Sequence, residues 1–203
     1  MKDISFQIFI PKRGFHFTTD MFVWSGIGLP LIFILIVENY FHEFYIRNNV
    51  DKIVSPIITG FLILGFVMYF VSFSRKRKLK GYLDGTLQLK VNEVVVNGES
   101  YLLKDIRSLE FYADDFQDRF EMLTGSANPR CSRGIDNWCI INLISGEKIK
   151  VNFLQEFEDQ LKQNEELVVH YFKADKIPIM NILSILRLNS YSEIRAFKEK
   201  HNR

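Results

Sequence analysis

The stretch "MYFVSFSRKRKLKGYLDGTLQLKV", residues 68–91, decides the organisation of this chain because its character changes twice. It begins with the end of an apolar run, continues with five cations among residues 75–80, and then alternates apolar and polar residues. An apolar run that ends in cations is typical of a membrane span that ends at the cytoplasm. Alternation with a period of two is typical of a β-strand. The stretch therefore predicts a membrane anchor that a short charged segment, the collar (residues 75–80), joins to a sheet domain.

Two segments before the collar are apolar enough to cross a bilayer. Residues 53–74 carry no formal charge, and as a helix they would reach about 33 Å, against roughly 30 Å of hydrocarbon. Residues 21–37 form a shorter apolar run that contains Pro30, and aromatic residues follow it. We therefore predict a transmembrane hairpin over residues 21–74, with spans at about 21–41 and 53–74. A signal peptide is not predicted, because the first run starts late and a second span follows it.

The charges that flank the two spans predict their orientation. Lys12 and Arg13 precede the first span, and the collar follows the second, whereas the connector carries Arg47 and Lys52 against three acids. The positive-inside rule therefore predicts a multi-pass protein of the inner (cytoplasmic) membrane with both termini in the cytoplasm. The collar cations could also contact anionic lipid headgroups, at about 1 kcal/mol each; they are Arg75, Lys76, Arg77, Lys78 and Lys80.

Residues 81–175 are predicted to form an antiparallel sheet domain. Asn97-Gly98 and Ser145-Gly146 are hairpin signals between runs of alternating apolar residues. About six strands in successive antiparallel pairs are expected, without βαβ crossovers. Apolar residues then recur every three or four positions over residues 154–173. This spacing predicts one helix that covers a mouth of the rolled sheet.

The two ends of the chain add further elements. Ser190 and Glu193 have the spacing of a capping box, which predicts a short helix within a helical extension over residues 176–203. Residues 4–10 alternate apolar and polar side chains, inside a cytoplasmic segment over residues 1–20. This segment could pair with an exposed edge of the sheet.

A rolled antiparallel sheet that one C-terminal helix closes resembles the pleckstrin-homology (PH) superfold. Two spans followed by "GTLQLKVNEVVVNGESYLLKDIRSLEF" and later by "SRGIDNWCIINLISGEKIKVNFLQ" resemble bacterial membrane-anchored PH-like proteins of the two-span Bacteroidetes type. The resemblance covers roughly residues 81–173 and the two-span anchor. It implies an α+β chain with a PH-like barrel, and a module that binds or scaffolds rather than one with an active site.

The usual signatures of catalysis and cofactor binding are missing from the sequence. It contains no G-x-S-x-G, no H-E-x-x-H and no glycine-rich phosphate loop. Cys131 and Cys139 have no second cysteine pair and no histidine at zinc-ligand spacing, which predicts two free thiols. The net charge of +2 is small for a nucleic-acid-binding protein. We therefore predict no enzyme, no cofactor, no metal site and no nucleic-acid partner.

The segment between two predicted strands, residues 114–137, is unusually long for a compact sheet domain. As a helix it would place Asp114, Asp118 and Glu121 on one face, where a solvated surface is favoured over a cation site. Arg130 and Arg133 lie further along and could receive a phosphate or carboxylate, although an ordinary solvated loop is the alternative. With the collar cations, these two arginines complete the predicted lipid- or anion-contacting residues.

These predictions together favour a non-enzymatic, membrane-anchored module. It would present a cytoplasmic binding surface to a protein partner or to anionic lipid headgroups. The alternative is a subunit or immunity-type component of a membrane complex, or a homo-oligomer, that interacts through its spans. Gly26, Gly28, Gly60 and Gly65 would permit the close approach of helices that this alternative needs.

Overall fold

The computed structural model describes residues 2–12, 14–122 and 126–201, so that Arg13 and part of the long loop lie outside the described residues. The fold is α+β, with two long apolar helices near the N-terminus, an antiparallel sheet and C-terminal helices. The chain divides into two compact units. The sheet unit comprises Met1–Lys12, Leu79–Arg119 and Ser132–Arg203, and the helical unit comprises Arg13–Lys78 and Phe120–Cys131.

The helical unit contains α1 (Thr19–Tyr40), α2 (His42–Asn48) and α3 (Val50–Ser72). Thr18 caps α1, because its hydroxyl oxygen accepts the Met21 N–H at 3.2 Å. Helices α1 and α3 pack against each other, and both are long and apolar enough to cross a membrane. Most of their large apolar side chains stay exposed outside this contact. The two predicted apolar helices are therefore confirmed.

Two of the four glycines in these helices permit their close approach. A Cβ on Gly26 would lie 2.1 Å from the Phe61 ring, and one on Gly65 would lie 2.8 Å from the Val23 side chain. Around Gly28 and Gly60 no atom of the described residues would lie within 4 Å of such a Cβ. Gly26 and Gly65 are therefore used inside the hairpin itself.

The sheet unit is built on a seven-stranded antiparallel sheet in the order β4-β3-β2-β1-β9-β8-β5. A separate two-stranded sheet pairs β6 with β7. The predicted hairpin turns are confirmed, since Asn97-Gly98 joins β3 to β4 and Gly146 lies between β8 and β9. The strands are β1 (Ile4–Pro11), β2 (Gly81–Leu89), β3 (Glu93–Val96), β4 (Glu99–Leu102), β5 (Ile106–Tyr112), β6 (Gln117–Phe120), β7 (Cys131–Arg133), β8 (Asn137–Leu143) and β9 (Lys148–Phe153).

The N-terminal strand β1 lies inside the sheet rather than at an edge. It pairs with β2 on one side and with β9 on the other. Its alternating residues Ile4, Phe6 and Ile8 are buried in the main hydrophobic core. The pairing of Pro11 with Gly81 continues as far as a hydrogen bond from the Lys12 N–H to the Lys80 carbonyl, at 2.9 Å. The hairpin of α1 and α3 is therefore inserted in the connection between two strands that are neighbours in the sheet.

The sheet is open, which corrects the expectation of a closed barrel. Strands β4 and β5 are its two edges, and they are not paired with each other in the described part of the chain. The outer edge of β5 is covered by the C-terminal segment instead. The Leu109 N–H donates to the Lys176 carbonyl at 2.7 Å, and the Asn181 side chain bonds both the N–H and the carbonyl of Phe111, at 2.9 and 2.7 Å. An asparagine amide thus takes the place of a closing strand.

The helix predicted over residues 154–173 begins later than expected. A 3-10 turn at Lys162–Asn164 leads into α4 (Glu165–Lys173), whose buried residues pack on the core. Asp159, with a φ of 60°, cannot continue an α-helix towards the N-terminus. Two further helices follow, α5 (Ile179–Ile185) and α6 (Tyr191–Lys200). The predicted capping box at Ser190 and Glu193 is confirmed at the start of α6.

Candidate membrane-interface site

The collar follows directly on α3 and presents most of its cations to solvent. Helix α3 ends at Ser72, and Arg75, Lys76, Lys78 and Lys80 are exposed. Arg77 is half-buried and forms an ion pair with Glu121. Exposed cations therefore begin within one helical turn of an apolar helix end.

A second segment, the clasp (residues 126–131), is bonded to the first turn of α1. The Asp20 carboxylate accepts three hydrogen bonds from it: from the Ser126 hydroxyl at 2.7 Å, from the Ala127 N–H at 2.6 Å and from the Asn128 side-chain amide at 2.6 Å. A carboxylate in this position also complements the positive end of the helix dipole. Asp20 therefore stabilises both the start of α1 and the conformation of the clasp.

The same clasp is bonded to the end of α3. The Arg130 N–H donates to the Ser72 carbonyl at 3.1 Å, and the Cys131 N–H donates to the Arg75 carbonyl at 3.2 Å. The Arg77 N–H in turn donates to the Cys131 carbonyl at 2.9 Å. Carbonyls at a helix C-terminus have no partner within the helix, and the clasp supplies one. It thus connects the start of α1 with the end of α3.

The Arg130 side chain is the buried centre of this arrangement, with only 2% of its surface exposed. Its Nε donates to the Ser72 hydroxyl at 3.2 Å, and its guanidinium carbon lies 4.0 Å from the ring centroid of Phe73 and 4.7 Å from that of Tyr69. Within the described ranges, Arg130 forms no ion pair with a carboxylate. Since the last turn of α3 has no basic residue, Arg130 supplies the positive charge that favours a helix C-terminus.

Arg130, which was predicted to contact a phosphate or carboxylate, is therefore buried. Its side chain contacts Ser72 and two aromatic rings, and these contacts hold the clasp against the end of α3. Arg133 belongs to the sheet unit and is half-buried. The collar cations are thus the members of the predicted anion-contacting set that the structure leaves exposed, with Arg77 as the half-buried exception.

The long loop contains a buried polar cluster that the sequence did not indicate. The Asp115 carboxylate accepts the Ser132 hydroxyl at 2.7 Å and the Asp136 N–H at 3.0 Å. The Asn137 side-chain oxygen Oδ1 accepts the Asp115 N–H at 2.9 Å, and the Gln155 side-chain amide donates to the Asp115 backbone carbonyl at 2.9 Å. These bonds join the two ends of the loop. Asp, Ser, Asn and Gln are all common in loops, so the sequence alone does not show that these residues form a cluster.

Asp114, Asp118 and Glu121, which would share one face of a helix, do not lie on a helix in the structure. Residues 117–120 form a strand, and Asp118 has a φ of 67°, so a helical face does not exist there. The structure brings together no group of three potential metal ligands in the part of the chain that it describes. Both cysteines are free thiols, and burial raises the pKa of the Cys139 thiol. Such a thiol is protonated at neutral pH and chemically inert.

No family model matches this chain, and no curated protein or solved structure is detectably similar to it. Its two long apolar helices and its antiparallel sheet fit a membrane-anchored sheet domain.

Proposed function

We propose that this chain is a non-enzymatic module, anchored in the inner membrane by α1 and α3, that binds anionic lipid headgroups at the cytoplasmic surface. The observation that carries the proposal is the exposure of Arg75, Lys76 and Lys78 directly after an apolar helix of membrane-spanning length. Cations near an anionic bilayer surface contribute about 1 kcal/mol each. The clasp bonds the backbone of this region, through Arg130 and Cys131, while the side chains of Arg75, Lys76 and Lys78 stay exposed.

The sheet unit would be the part that such an anchor presents to the cytoplasm. Antiparallel strands with C-terminal helices packed on their core support a PH-like binding module, and the open sheet departs from a closed PH barrel. A protein partner is the other class of ligand that a module of this kind would take. The positive-inside rule supports a cytoplasmic position for the collar, and we propose the same side for both chain termini.

Thermal unfolding of the full chain in lipid nanodiscs tests the headgroup proposal. At low salt, we expect a higher midpoint in discs that contain phosphatidylglycerol than in discs of phosphatidylcholine alone. High salt should remove this difference, because it screens exposed charges. The variant Arg75→Gln, Lys76→Gln, Lys78→Gln, Lys80→Gln should lose the difference as well.

A matched control changes two exposed lysines of the sheet unit, Lys104→Gln and Lys148→Gln. This variant should keep the lipid-dependent difference of the parent protein. Equal midpoints in both kinds of disc at low salt would remove lipid headgroups as the ligand. A protein partner would then be the class to search for, by crosslinking in membranes.

The alternative function is a complex formed through the spans, and fewer glycines are open to a partner helix than the sequence indicated. Gly26 and Gly65 face side chains of the hairpin itself. Gly28 and Gly60 are the two positions of the four where another helix could approach closely.

A further inference from the structure

Residues 120–122, the interfacial segment, carry apolar side chains next to the end of α3. The Phe120 ring stacks on the ring of Phe73, with centroids 5.9 Å apart and planes inclined by 19°. Phe73 directly follows the last residue of α3. Phe120 is nevertheless 46% exposed, and Met122 is 83% exposed. The Phe120 ring therefore lies at the level where an apolar helix ends and its cations begin, and Met122 follows it by two residues.

The contacts of Glu121 show how the side chains of the interfacial segment are distributed between its two faces. The Glu121 N–H donates to the Arg130 carbonyl at 3.0 Å, which extends the pairing of β6 with β7 by one residue. The Glu121 carboxylate pairs with Arg77 of the collar. In an extended segment, neighbouring side chains point to opposite faces. Phe120 contacts Phe73, and the alternation predicts Glu121 on the opposite face and Met122 on the face of Phe120.

The clasp fixes the interfacial segment in this position. It is bonded to Asp20 at the start of α1 and to Ser72 at the end of α3. Those two helix ends mark one side of the hairpin, because α1 and α3 pack together as consecutive long helices joined by the short α2. An apolar side chain that the clasp holds beside these helix ends could contact lipid without any change in the conformation of the backbone.

We propose that Phe120 and Met122 insert into the boundary between the phospholipid headgroups and the acyl chains. The inference rests on the proposed function, and it adds an apolar contact to the electrostatic one. Two observations favour lipid as the occupant: the side chains continue the apolar surface of the spans, and the exposed collar cations suit the phosphates above them. Aromatic and long apolar side chains beside cations are typical of segments that lie in this boundary.

Tryptophan fluorescence of the full chain in liposomes tests the proposal. The variant Met122→Trp, made with Trp24→Phe and Trp138→Phe, has a single tryptophan at a position whose exposure tolerates it. Because tryptophan prefers the interface, we expect lipids that are brominated near the carbonyl end of their acyl chains to quench its emission about twofold. The aqueous quencher acrylamide should have little effect.

Two controls make the result decisive. A protein that keeps Trp24 and carries Trp138→Phe reports whether α1 is in the bilayer, and brominated lipid should quench it. Met180, which is 75% exposed on α5, is changed to Trp in the background without natural tryptophans, and this emission should remain unquenched. Quenching at Met180 equal to that at Met122 would overturn the inference, because the preference of tryptophan itself would then explain both.

Failure of the inference and failure of the proposed function give different results. If Trp24 is quenched by brominated lipid and Met122→Trp is quenched by acrylamide alone, the anchor stands and the insertion of the interfacial segment is overturned. That outcome would instead fit a surface for a protein partner. If neither tryptophan responds to brominated lipid, the membrane anchor fails and the insertion fails with it.

Discussion

At the scale of single residues, Arg130 has an unusual environment, because a buried cation is normally paired with a carboxylate. Here the faces of Tyr69 and Phe73, the Ser72 hydroxyl and the negative end of α3 take that role. We expect Arg130→Ala to lower the free energy of unfolding by roughly 2–4 kcal/mol, from the lost cation–π contacts and hydrogen bonds. Chemical unfolding in micelles measures it.

Arg130→Lys should recover part of this loss, since lysine keeps the charge but cannot offer a planar guanidinium to two rings. The control is Lys78→Ala, at an exposed position of the collar, with an expected effect within about 0.5 kcal/mol. If Arg130→Ala were as mild as Lys78→Ala, the clasp would not depend on this side chain.

Asn181 is a second residue whose side chain bonds the backbone of a residue that is distant in the sequence. Its amide bonds both polar groups of Phe111 at the edge of β5. The change Asn181→Leu leaves an N–H and a carbonyl without partners, at a cost of roughly 2–4 kcal/mol in the free energy of unfolding. Ser184→Leu, at an exposed position of the same helix, should be nearly neutral in the same unfolding measurement. Similar losses in both variants would argue against the strand-like role of Asn181.

At the scale of elements, the contact between α1 and α3 depends on which glycine faces the partner helix. A methyl group on Gly26 would overlap the Phe61 ring, so Gly26→Ala should destabilise the hairpin by about 1–3 kcal/mol. Gly28→Ala, two residues away, has open space and should leave stability unchanged or slightly raised. Thermal unfolding of the two variants in the same detergent compares them directly. Equal midpoints would mean that the helices do not pack through Gly26.

The elements that the sequence predicted correctly are those with a local cause. The turn at Asn97-Gly98 and the capping box at Ser190 are fixed by residues within a few positions of each other. The partner of Arg130 is Ser72, far away in the sequence, and nothing in either residue type indicates the contact. Local composition therefore indicated the collar cations, whose contact with lipid or another anion stays a prediction. The clasp depends on folding, and the sequence did not indicate it.

At the scale of the whole molecule, the same limit explains the misplacement of β1. Neighbouring strands are usually close in sequence, and residues 4–10 are separated from β2 by the whole hairpin of α1, α2 and α3. The alternating pattern of residues 4–10 predicted a strand, but chain distance argued against the centre of the sheet. The two ends of the inserted hairpin meet again at Lys12 and Lys80, so β1 can pair with β2 despite the distance in sequence. Burial of Ile4, Phe6 and Ile8 in the main core stabilises this pairing.

The insertion of the hairpin between β1 and β2 predicts how a soluble sheet unit can be made. An Asn-Gly turn that joins Lys12 to Lys80, in place of residues 13–79, would close β1 and β2 as an ordinary two-residue hairpin in their existing register. We expect this shortened chain to be soluble and to unfold cooperatively. Circular dichroism and the dispersion of amide NMR signals would report the fold.

The matched control is the fragment over residues 80–203, which keeps every other strand of the sheet unit and lacks β1. Without β1, strands β2 and β9 lose their shared neighbour, and four buried apolar side chains (Ile4, Phe6, Ile8 and Phe9) are lost at about 1.5–3 kcal/mol each. That loss is comparable with the roughly 5–15 kcal/mol by which a domain is stable, so the fragment should fail to fold. A cooperative transition in the fragment, equal to that of the turn-joined chain, would show that β1 is dispensable. If the fragment fails to fold and the turn-joined chain folds, the chain cannot be divided after α3, because the first strand of the sheet precedes both apolar helices in the sequence.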